Sequence, residues 1–309
     1  MALVFYSESD SFETWRTALA EAVPDLDCLG WDEVDDPERV EFALVWAPPR
    51  GSLRRFPNLK AILNLGAGVD ALLKDPDLPA GVPIVRMVDE DLAKSMAEYV
   101  LLHALRYHRE MPALEAQQRA RAWKIIESPT ARHCRVGIMG LGGMGGEAAR
   151  HLLAVEFDVA GWTRRPRSMA GVELFHGADG LDAFLARSDI LVCLLPLTPE
   201  TEGILNRDLL AKLPRGAYLI NAGRGGHQVE PDILEALDSG QLAGATLDVF
   251  REEPLPLDSP FWDHPKVTIT PHNASIALPG SAVRHVAESI RRARAGEPLQ
   301  HVVTPEAGY

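Results

Sequence analysis

The segment CRVGIMGLGGMGGEAARHLLA, from Cys134 to Ala154, constrains the fold of this chain more than any other. An apolar run precedes its glycines and apolar residues recur at helical spacing after them, which predicts a strand, a tight turn and a helix. Gly140, Gly142 and Gly145 match the G-x-G-x-x-G pattern, in which they make the turn, leave room for a pyrophosphate and let helix and strand pack closely. A glycine-rich turn without a ligand is the alternative, but the flanking strand and helix favour a nucleotide site.

Apolar runs recur along the rest of the chain at a spacing typical of an α/β protein. Residues 1–98 alternate short runs with helical or loop stretches, which predicts a small domain with its own parallel sheet. After the arm described below, six runs with crossover stretches between them predict a doubly wound parallel sheet. They begin near Arg135, Asp158, Asp189, Ala217, Ala245 and Val267. The amphipathic segment 281–294 follows the sixth run, and we expect it to return to the small domain.

The predicted fold class is therefore α/β with two Rossmann-like domains. A doubly wound, dinucleotide-binding domain of residues 99–277 is inserted in a smaller, flavodoxin-like substrate domain of residues 1–98 plus 278–309. A long helix from Asp91 leads out of the small domain, and a polar, poorly periodic arm that contains Trp123 follows it. Such an arm seldom packs on its parent domain, so we expect it to contact a partner subunit in a homodimer. An ordinary surface connection is the alternative.

Composition and charge disfavour several classes of function. The formal net charge of −13 argues against nucleic acid or an anionic membrane as a partner, because both attract clusters of Lys and Arg. Cys28, Cys134 and Cys193 are far apart and odd in number, which is typical of reduced thiols in a cytoplasmic protein. We expect no leader peptide and no membrane span. The sequence shows no metal-ligand spacing, so we predict no metal site.

The second strand of the larger domain indicates which dinucleotide binds. NAD-binding sheets usually place Asp or Glu at the end of this strand, beside the ribose hydroxyls. Here the strand ends in Thr163, Arg164 and Arg165, and a hydroxyl with two permanently charged guanidinium groups suits a 2′-phosphate. We therefore predict NADPH as the preferred cofactor and NADH as the second candidate. A solvated basic strand end is the alternative.

Two turns of the smaller domain are candidates for binding a substrate. Trp46 begins the turn WAPP, and Gly66, Ala67 and Gly68 belong to GAGVD; each turn follows an apolar run. Loops past the carboxyl ends of parallel strands are where open α/β sheets bind ligands. Backbone N–H groups at Gly66 to Gly68 suit a carboxylate, whereas the alternative is a plain left-handed turn before a helix.

Three later segments carry the remaining chemistry. They are LINAGRGGHQVEPDILEAL with Arg224, ATLDVFREEPLP with Asp248 and Glu253, and VTITPHNAS with His272. Together with LLPLTPETEGILN and GAGVD, they resemble the D-isomer-specific 2-hydroxyacid dehydrogenase family over nearly the whole chain. Further features resemble its glyoxylate/hydroxypyruvate reductase A branch: VWAPP, LGAGVD, MAEYV, GWTRR and the terminal Gly308-Tyr309.

The resemblance implies a catalytic trio of Arg224, Glu253 and His272. Arg224 would bind the carboxylate and carbonyl oxygens of a 2-oxo acid through its planar guanidinium. His272 would donate a proton to the carbonyl oxygen during reduction and accept it in the reverse direction. Glu253 would hydrogen-bond the other ring nitrogen, which keeps the imidazole oriented and protonated when reduction begins.

The resemblance also implies residues that bind substrate and cofactor. The substrate residues would be Trp46, Gly66, Ala67, Gly68, Arg224 and His272. The cofactor residues would be Gly140, Leu141, Gly142, Gly143, Met144, Gly145, Thr163, Arg164, Arg165, Leu195, Pro196, Thr201, Ala222, Gly223, Asp248, His272, Ala274 and Ser275. The implied reaction is NADPH-dependent reduction of glyoxylate to glycolate and of hydroxypyruvate to D-glycerate. A dehydrogenase of a larger 2-oxo acid and a non-catalytic nucleotide-sensing protein are the alternatives.

Replacing both strand-end arginines tests the predicted cofactor preference. We expect Arg164→Ala with Arg165→Ala to lower kcat/KM for NADPH by at least about ten-fold, since each lost charge-assisted hydrogen bond costs about 1.5–3 kcal/mol. The value for NADH, which has no 2′-phosphate, should change little. Steady-state kinetics with both cofactors measure the two values. An unchanged ratio between them would contradict the assignment of these residues to a 2′-phosphate.

Overall fold

A computed structural model describes residues 1–303, so the terminal Gly308-Tyr309 feature lies outside the described residues. The chain divides into two compact units, Met1–Leu92 with Ile276–Tyr309 and Ala93–Ser275. The first unit is discontinuous because the second is inserted in it. The predicted boundaries at 98/99 and 277/278 differ from these limits by a few residues, and the roles assigned to the two domains stay predictions.

The first unit is built on a five-stranded sheet. The elements before Glu90 are β1 (Ala2–Tyr6), α1 (Phe12–Ala22), β2 (Asp27–Gly30), β3 (Val40–Val45), β4 (Ala61–Asn64), α2 (Asp70–Leu73) and β5 (Ile84–Val85). All strands are parallel, in the order β2-β1-β3-β4-β5, which is the flavodoxin-like order. Nearly every residue of β3 and β4 is buried, as is typical of central parallel strands.

The second unit is built on a seven-stranded parallel sheet. From Glu90 onward the elements are α3 (Glu90–His108), α4 (Met111–Arg119), β6 (Arg135–Met139), α5 (Gly143–Ala154), β7 (Asp158–Thr163), β8 (Glu173–His176), α6 (Leu181–Ala186), β9 (Ile190–Cys193), α7 (Arg207–Leu210), β10 (Ala217–Asn221), α8 (Glu230–Asp238), β11 (Leu242–Leu247), β12 (Val267–Ile269) and α9 (Pro279–Ala295). The strand order is β12-β11-β10-β9-β6-β7-β8. It reverses between β6 and β9, the topological switch point at which doubly wound sheets bind dinucleotides. The predicted α/β fold class is confirmed.

One strand of the larger sheet was not predicted from the sequence. The residues of β8 are exposed or half-buried, and the strand pairs with β7 at the edge of the sheet. An edge strand with so little buried surface carries no continuous apolar run, and such runs were the signal that predicted the other six strands.

The last helix, α9, belongs to the first unit and packs against α1. Pro279 opens it, where a missing N–H costs nothing, and Gly296 ends it with a left-handed φ of 68°. Past the helix, the N–H of Val303 donates to the carbonyl oxygen of Ile84 (2.8 Å), and Val302 forms an isolated antiparallel bridge with Val85 of β5. None of the helices within residues 1–303 is both long enough and apolar enough to cross a membrane.

Glycines shape the turn between β6 and α5. Gly140 has a φ of 94°, a left-handed value that residues with a side chain rarely adopt. A Cβ atom on Gly145 would lie 1.9 Å from the carbonyl oxygen of Gly140. Gly140 therefore allows the tight turn, and Gly145 lets the helix start close to the strand.

Two alanine substitutions in α5 separate close packing from helix propensity. We expect Gly145→Ala to lower the free energy of unfolding by about 1–3 kcal/mol or more, because the new Cβ must push helix and strand apart. Gly146→Ala is the matched control: its Cβ would meet no heavy atom of the described chain within 4 Å, and alanine favours a helix by about 1 kcal/mol. Denaturant unfolding followed by circular dichroism measures both. Equal effects would contradict the packing role of Gly145.

Candidate active site

The parallel register of the larger sheet brings the carboxyl ends of its strands to one edge. The paired end residues are Met139 with Trp162 and Cys193, Cys193 with Asn221, Asn221 with Leu247, and Leu247 with Ile269. Each segment predicted to bind a dinucleotide or to transfer a proton follows one of these strands. The unit Ala93–Ser275 therefore carries the predicted cofactor residues and the predicted trio on the same edge.

The turn before α5 offers an anion site. A Cβ atom on Gly142 or Gly143 would meet no heavy atom of residues 1–303 within 4 Å, so space is open above this backbone. Within the described chain, no side chain caps the first turn of α5. The first N–H groups of a helix lack partners inside the helix and lie at its positive end. This arrangement fits a pyrophosphate.

The end of β7 places two guanidinium groups at the surface. Arg164 and Arg165 are exposed, whereas Thr163 is buried and its hydroxyl donates to the carbonyl oxygen of Arg165 (2.7 Å). A phosphate oxygen can only accept hydrogen bonds, and the hydroxyl proton of Thr163 is already donated to this carbonyl oxygen. The bond therefore favours a role for Thr163 in ordering the turn. Arg167, which the sequence analysis did not assign, donates to the carbonyl oxygen of Leu141. It thereby joins this strand end to the glycine turn.

Several predicted cofactor residues have side chains in the hydrophobic core of this unit. They are Leu141, Leu195, Ala222 and Ala274. Any contact from them to a cofactor would involve mainly the backbone. Thr201 donates its hydroxyl to the carbonyl oxygen of Pro196 (2.7 Å), which orders the turn that follows β9. The contacts assigned to these residues stay predictions.

His272 and Glu253 form a hydrogen-bonded pair. Nδ1 of His272 lies 2.7 Å from one carboxyl oxygen of Glu253, and the other oxygen accepts the N–H of Phe250 (2.9 Å). Burial would raise the pKa of the Glu253 carboxyl, but the bonds from His272 and Phe250 outweigh it. The nearby charge of Arg224 acts in the same direction, so the pKa of Glu253 lies below its ordinary value. Among the described residues, no group of three or more His, Cys, Asp or Glu is placed to hold a metal ion.

The turn that carries Arg224 is held by a buried histidine. The backbone N–H of Arg224 donates to Nδ1 of His227 (3.1 Å), and Nε2 of that ring lies 3.3 Å from the carbonyl oxygen of Pro196. Because Nδ1 accepts, the ring proton lies on Nε2. A Cβ on Gly225 would lie 1.9 Å from the backbone of Phe250, so this glycine brings the two turns together. The sequence showed neither relation; the run RGG was the one available signal.

Asp248 holds the loop that carries His272. Its side chain is 1% exposed and accepts from the Thr270 hydroxyl (2.5 Å) and from the N–H groups of Asn273 and Ala274 (3.0 Å each). His272 has a left-handed φ of 51° and donates its N–H to the carbonyl oxygen of Asp248 (2.8 Å). A non-glycine residue in this region needs such support. The predicted contact of Asp248 with the nicotinamide end of the cofactor stays a prediction.

In the first unit, the two predicted substrate turns lie side by side. Trp46 follows β3, and Gly66 follows the neighbouring strand β4. A Cβ on Gly66 would lie 2.3 Å from the ring of Trp46. The buried amide of Asn64 donates to the carbonyl oxygens of Gly66 (2.7 Å) and Gly68 (2.9 Å), so the N–H groups that follow these carbonyls face away from it. Asn64 is the last residue of the buried strand β4 and gave no functional signal in the sequence.

Known proteins resemble this chain over its whole length. The family model for "D-isomer specific 2-hydroxyacid dehydrogenase, NAD binding domain" matches residues 101–274. The glyoxylate/hydroxypyruvate reductase A of Serratia proteamaculans (strain 568) is 43% identical over 314 aligned residues, with 100% of both chains covered.

Two solved structures share the fold. The D-isomer specific 2-hydroxyacid dehydrogenase from Xanthobacter autotrophicus Py2, in complex with NADPH and MES, is 48% identical with a TM-score of 0.95. The NADPH-dependent glyoxylate/hydroxypyruvate reductase from Sinorhizobium meliloti, in complex with NADP and sulfate, is 44% identical with a TM-score of 0.94. Each match covers 100% of this chain and 99% of the other.

Proposed function

Because the chain belongs to the D-isomer-specific 2-hydroxyacid dehydrogenase family, we propose that it uses NADPH to reduce glyoxylate to glycolate and hydroxypyruvate to D-glycerate. The observation that carries this proposal is the 2.7 Å hydrogen bond between His272 and Glu253, on segments that follow strands of the dinucleotide-type sheet. Reduction of a carbonyl needs a proton donor, and an imidazole held by a carboxylate is such a donor. The names of the relatives and the cofactors bound in the two solved structures support the same reaction.

Glu253 determines which nitrogen of His272 serves the substrate. Its carboxyl has a lowered pKa, is ionised at neutral pH and accepts the proton on Nδ1. Nε2 is then the atom that donates a proton to the carbonyl oxygen and takes it back in the reverse direction. NADPH, when bound, supplies the hydride to the carbonyl carbon.

Residues proposed to bind substrate occur in both units. In Ala93–Ser275, the guanidinium of Arg224 is oriented by a hydrogen bond to the carbonyl oxygen of Gly223 (2.8 Å), and its planar fork suits the oxygens of a 2-oxo acid. In Met1–Leu92, the amides of the turn from Gly66 through Ala67 to Gly68 suit a carboxylate. Trp46, packed against Gly66, would restrict the size of the substrate's side chain.

The residues present fit a phosphorylated dinucleotide. The open backbone at Gly142 and Gly143 would take the pyrophosphate, and Arg164 with Arg165 would take the 2′-phosphate. The remaining proposed contacts are those of Gly140, Leu141, Met144, Gly145, Thr163, Leu195, Pro196, Thr201, Ala222, Gly223, Asp248, His272, Ala274 and Ser275. NADH is the second candidate cofactor.

A spectrophotometric panel tests the proposed function. We expect NADPH absorbance to fall on addition of glyoxylate or hydroxypyruvate, and to fall more slowly with phenylpyruvate because Trp46 restricts the side chain. His272→Gln should lower kcat by at least about 100-fold with little change in NADPH affinity, since general acid catalysis contributes about 10²- to 10⁴-fold. His133→Gln, at an exposed histidine outside the site, is the control and should keep kcat.

Each other outcome of the panel contradicts part of the proposal. Turnover restricted to larger 2-oxo acids would reassign the substrate. Tight NADPH binding without turnover of any 2-oxo acid would favour a nucleotide-sensing protein. A His272→Gln variant with undiminished kcat would remove the histidine from the mechanism.

We also propose that the protein forms a homodimer through α3 and the segment that follows α4. The predicted arm is helical at its start, as α4, is irregular over residues 121–130 and ends in a short 3-10 helix at Ala131–His133. Trp123 is 98% exposed and Ile125 is 89% exposed, and Leu102 on α3 is also exposed. Large apolar side chains that are concentrated at the surface in this way favour contact with another protein surface.

Serine substitutions in the arm test the dimer. We expect Trp123→Ser with Ile125→Ser to raise the dimer dissociation constant by at least about 100-fold, since each buried side chain of this size contributes about 1.5–3 kcal/mol. Size-exclusion chromatography with light scattering measures the mass across a dilution series. The control is Leu257→Ser, which alters an equally exposed apolar residue (96%) outside the arm and should leave the mass unchanged. A monomeric wild-type protein would contradict the proposal.

A further inference from the structure

We propose that Tyr99 is a positioning residue, which orients the loop of His272 through Thr270 and Asp248. Tyr99 lies on α3, far from the loop in sequence. Its hydroxyl is 2.6 Å from Oγ1 of Thr270, which is 2.5 Å from a carboxyl oxygen of Asp248. The same carboxylate accepts the N–H groups of the two residues after His272. A continuous chain of hydrogen bonds thus leads from the helix to the loop of the proposed proton donor.

The protons in this chain have one direction. The carboxylate of Asp248 accepts the proton of the Thr270 hydroxyl, so the hydroxyl of Tyr99 must donate to Thr270. Burial raises the pKa of Tyr99 well above its ordinary value, and the phenol therefore keeps its proton throughout the neutral range. Hydrogen bonds aligned in one direction polarise and strengthen one another. Removing the first donor consequently weakens the bond between Thr270 and Asp248.

A second contact joins the same face of α3 to the loop. Ser95 lies one helical turn before Tyr99, and its hydroxyl donates to the carbonyl oxygen of Ala274 (3.4 Å). Residues four apart share a face of a helix. The helix therefore contacts the backbone of the loop through Ser95, and it reaches the carboxylate of Asp248 through Tyr99 and Thr270. Because His272 is held at a φ of 51°, a change in these contacts will change the direction of the imidazole.

The same helix offers a matched control at Tyr107. Its hydroxyl is 2.6 Å from Oγ1 of Thr246, and both residues are buried. Thr246 makes its other described side-chain contact with Nδ1 of His103 (3.3 Å). Tyr107→Phe thus removes a tyrosine–threonine bond of the same length from α3, at a place where the bonded partners are not those of the His272 loop.

The experiment compares kinetics and loop protection in four single variants and one double variant. This inference rests on the proposed function, since it assigns an effect on kcat to the loop of the proton donor. We expect Tyr99→Phe to lower kcat about five- to ten-fold and to change the dissociation constant of NADPH less than about two-fold. Thr270→Val should lower kcat at least as far, whereas Thr270→Ser, which keeps the hydroxyl, should restore most of it. Tyr107→Phe should lower the melting temperature but keep kcat.

Amide hydrogen exchange gives a measurement that needs no turnover. We expect peptides that cover residues 270–275 to exchange faster in Tyr99→Phe and Thr270→Val than in the wild type. In Tyr107→Phe the exchange rate of these peptides should be unchanged. The double variant Tyr99→Phe with Thr270→Val should have the same kcat and exchange rate as Thr270→Val alone, because both changes break the same chain of hydrogen bonds.

Three results would overturn the inference. The first is a Tyr99→Phe variant that keeps the wild-type kcat and exchange rate but has a melting temperature lowered as in Tyr107→Phe. This result would make Tyr99 a structural residue only. The second is additive effects in the double variant. The third, if Tyr99→Phe does not fold, is equal kcat in Thr270→Val and Thr270→Ser. Absence of any turnover in the wild type would instead refute the proposed function, and hydrogen exchange would still decide whether Tyr99 orders the loop.

Discussion

The parallel register of the larger sheet is the constraint on which the candidate site depends. The predicted site residues between Gly140 and Ser275 reach one edge because each of their segments follows the carboxyl end of a strand. Hydrogen bonds between neighbouring parallel strands set where each strand ends, and side chains packed on both faces hold that register, since a slip would disrupt their close packing. The hydrophobic core of this unit therefore decides which turns become neighbours.

Buried polar side chains then determine how those turns are oriented. Asp248, His227 and Asn64 are buried, and each bonds backbone groups in or beside a turn that carries a predicted functional residue. A polar group inside a protein costs free energy unless it is hydrogen-bonded. Because hydrogen bonds depend on direction as well as distance, one such residue holds a loop in a single conformation. Packing thus sets the location of the site, and these bonds set its geometry.

The predictions from sequence succeeded where a pattern reports local burial and failed where a contact is long-range or lies at the surface. Apolar runs predicted six strands of the larger sheet, but β8 is an edge strand with little buried surface. The glycine motif predicted the tight turn at Gly140. The close approach of Gly225 to Phe250 could not be predicted, because it joins two turns that are distant in the sequence. The sequence predicts a helix at Tyr99, but it does not indicate that Thr270, in the loop after β12, is its partner.

The sequence by itself determined the α/β class, the position of the glycine-rich turn before α5 and the segments that carry Arg224, Glu253 and His272. It could do so because strand and helix periods follow from backbone geometry and are therefore written in neighbouring residues. Only the tertiary structure decided that Nδ1 of His272 lies 2.7 Å from Glu253. It also decided that Asp248 holds the loop that carries His272, which Thr270 connects to α3. Such distances depend on strand register, on a residue with left-handed φ and on hydrogen bonds between separate elements. A local sequence pattern does not determine these three together.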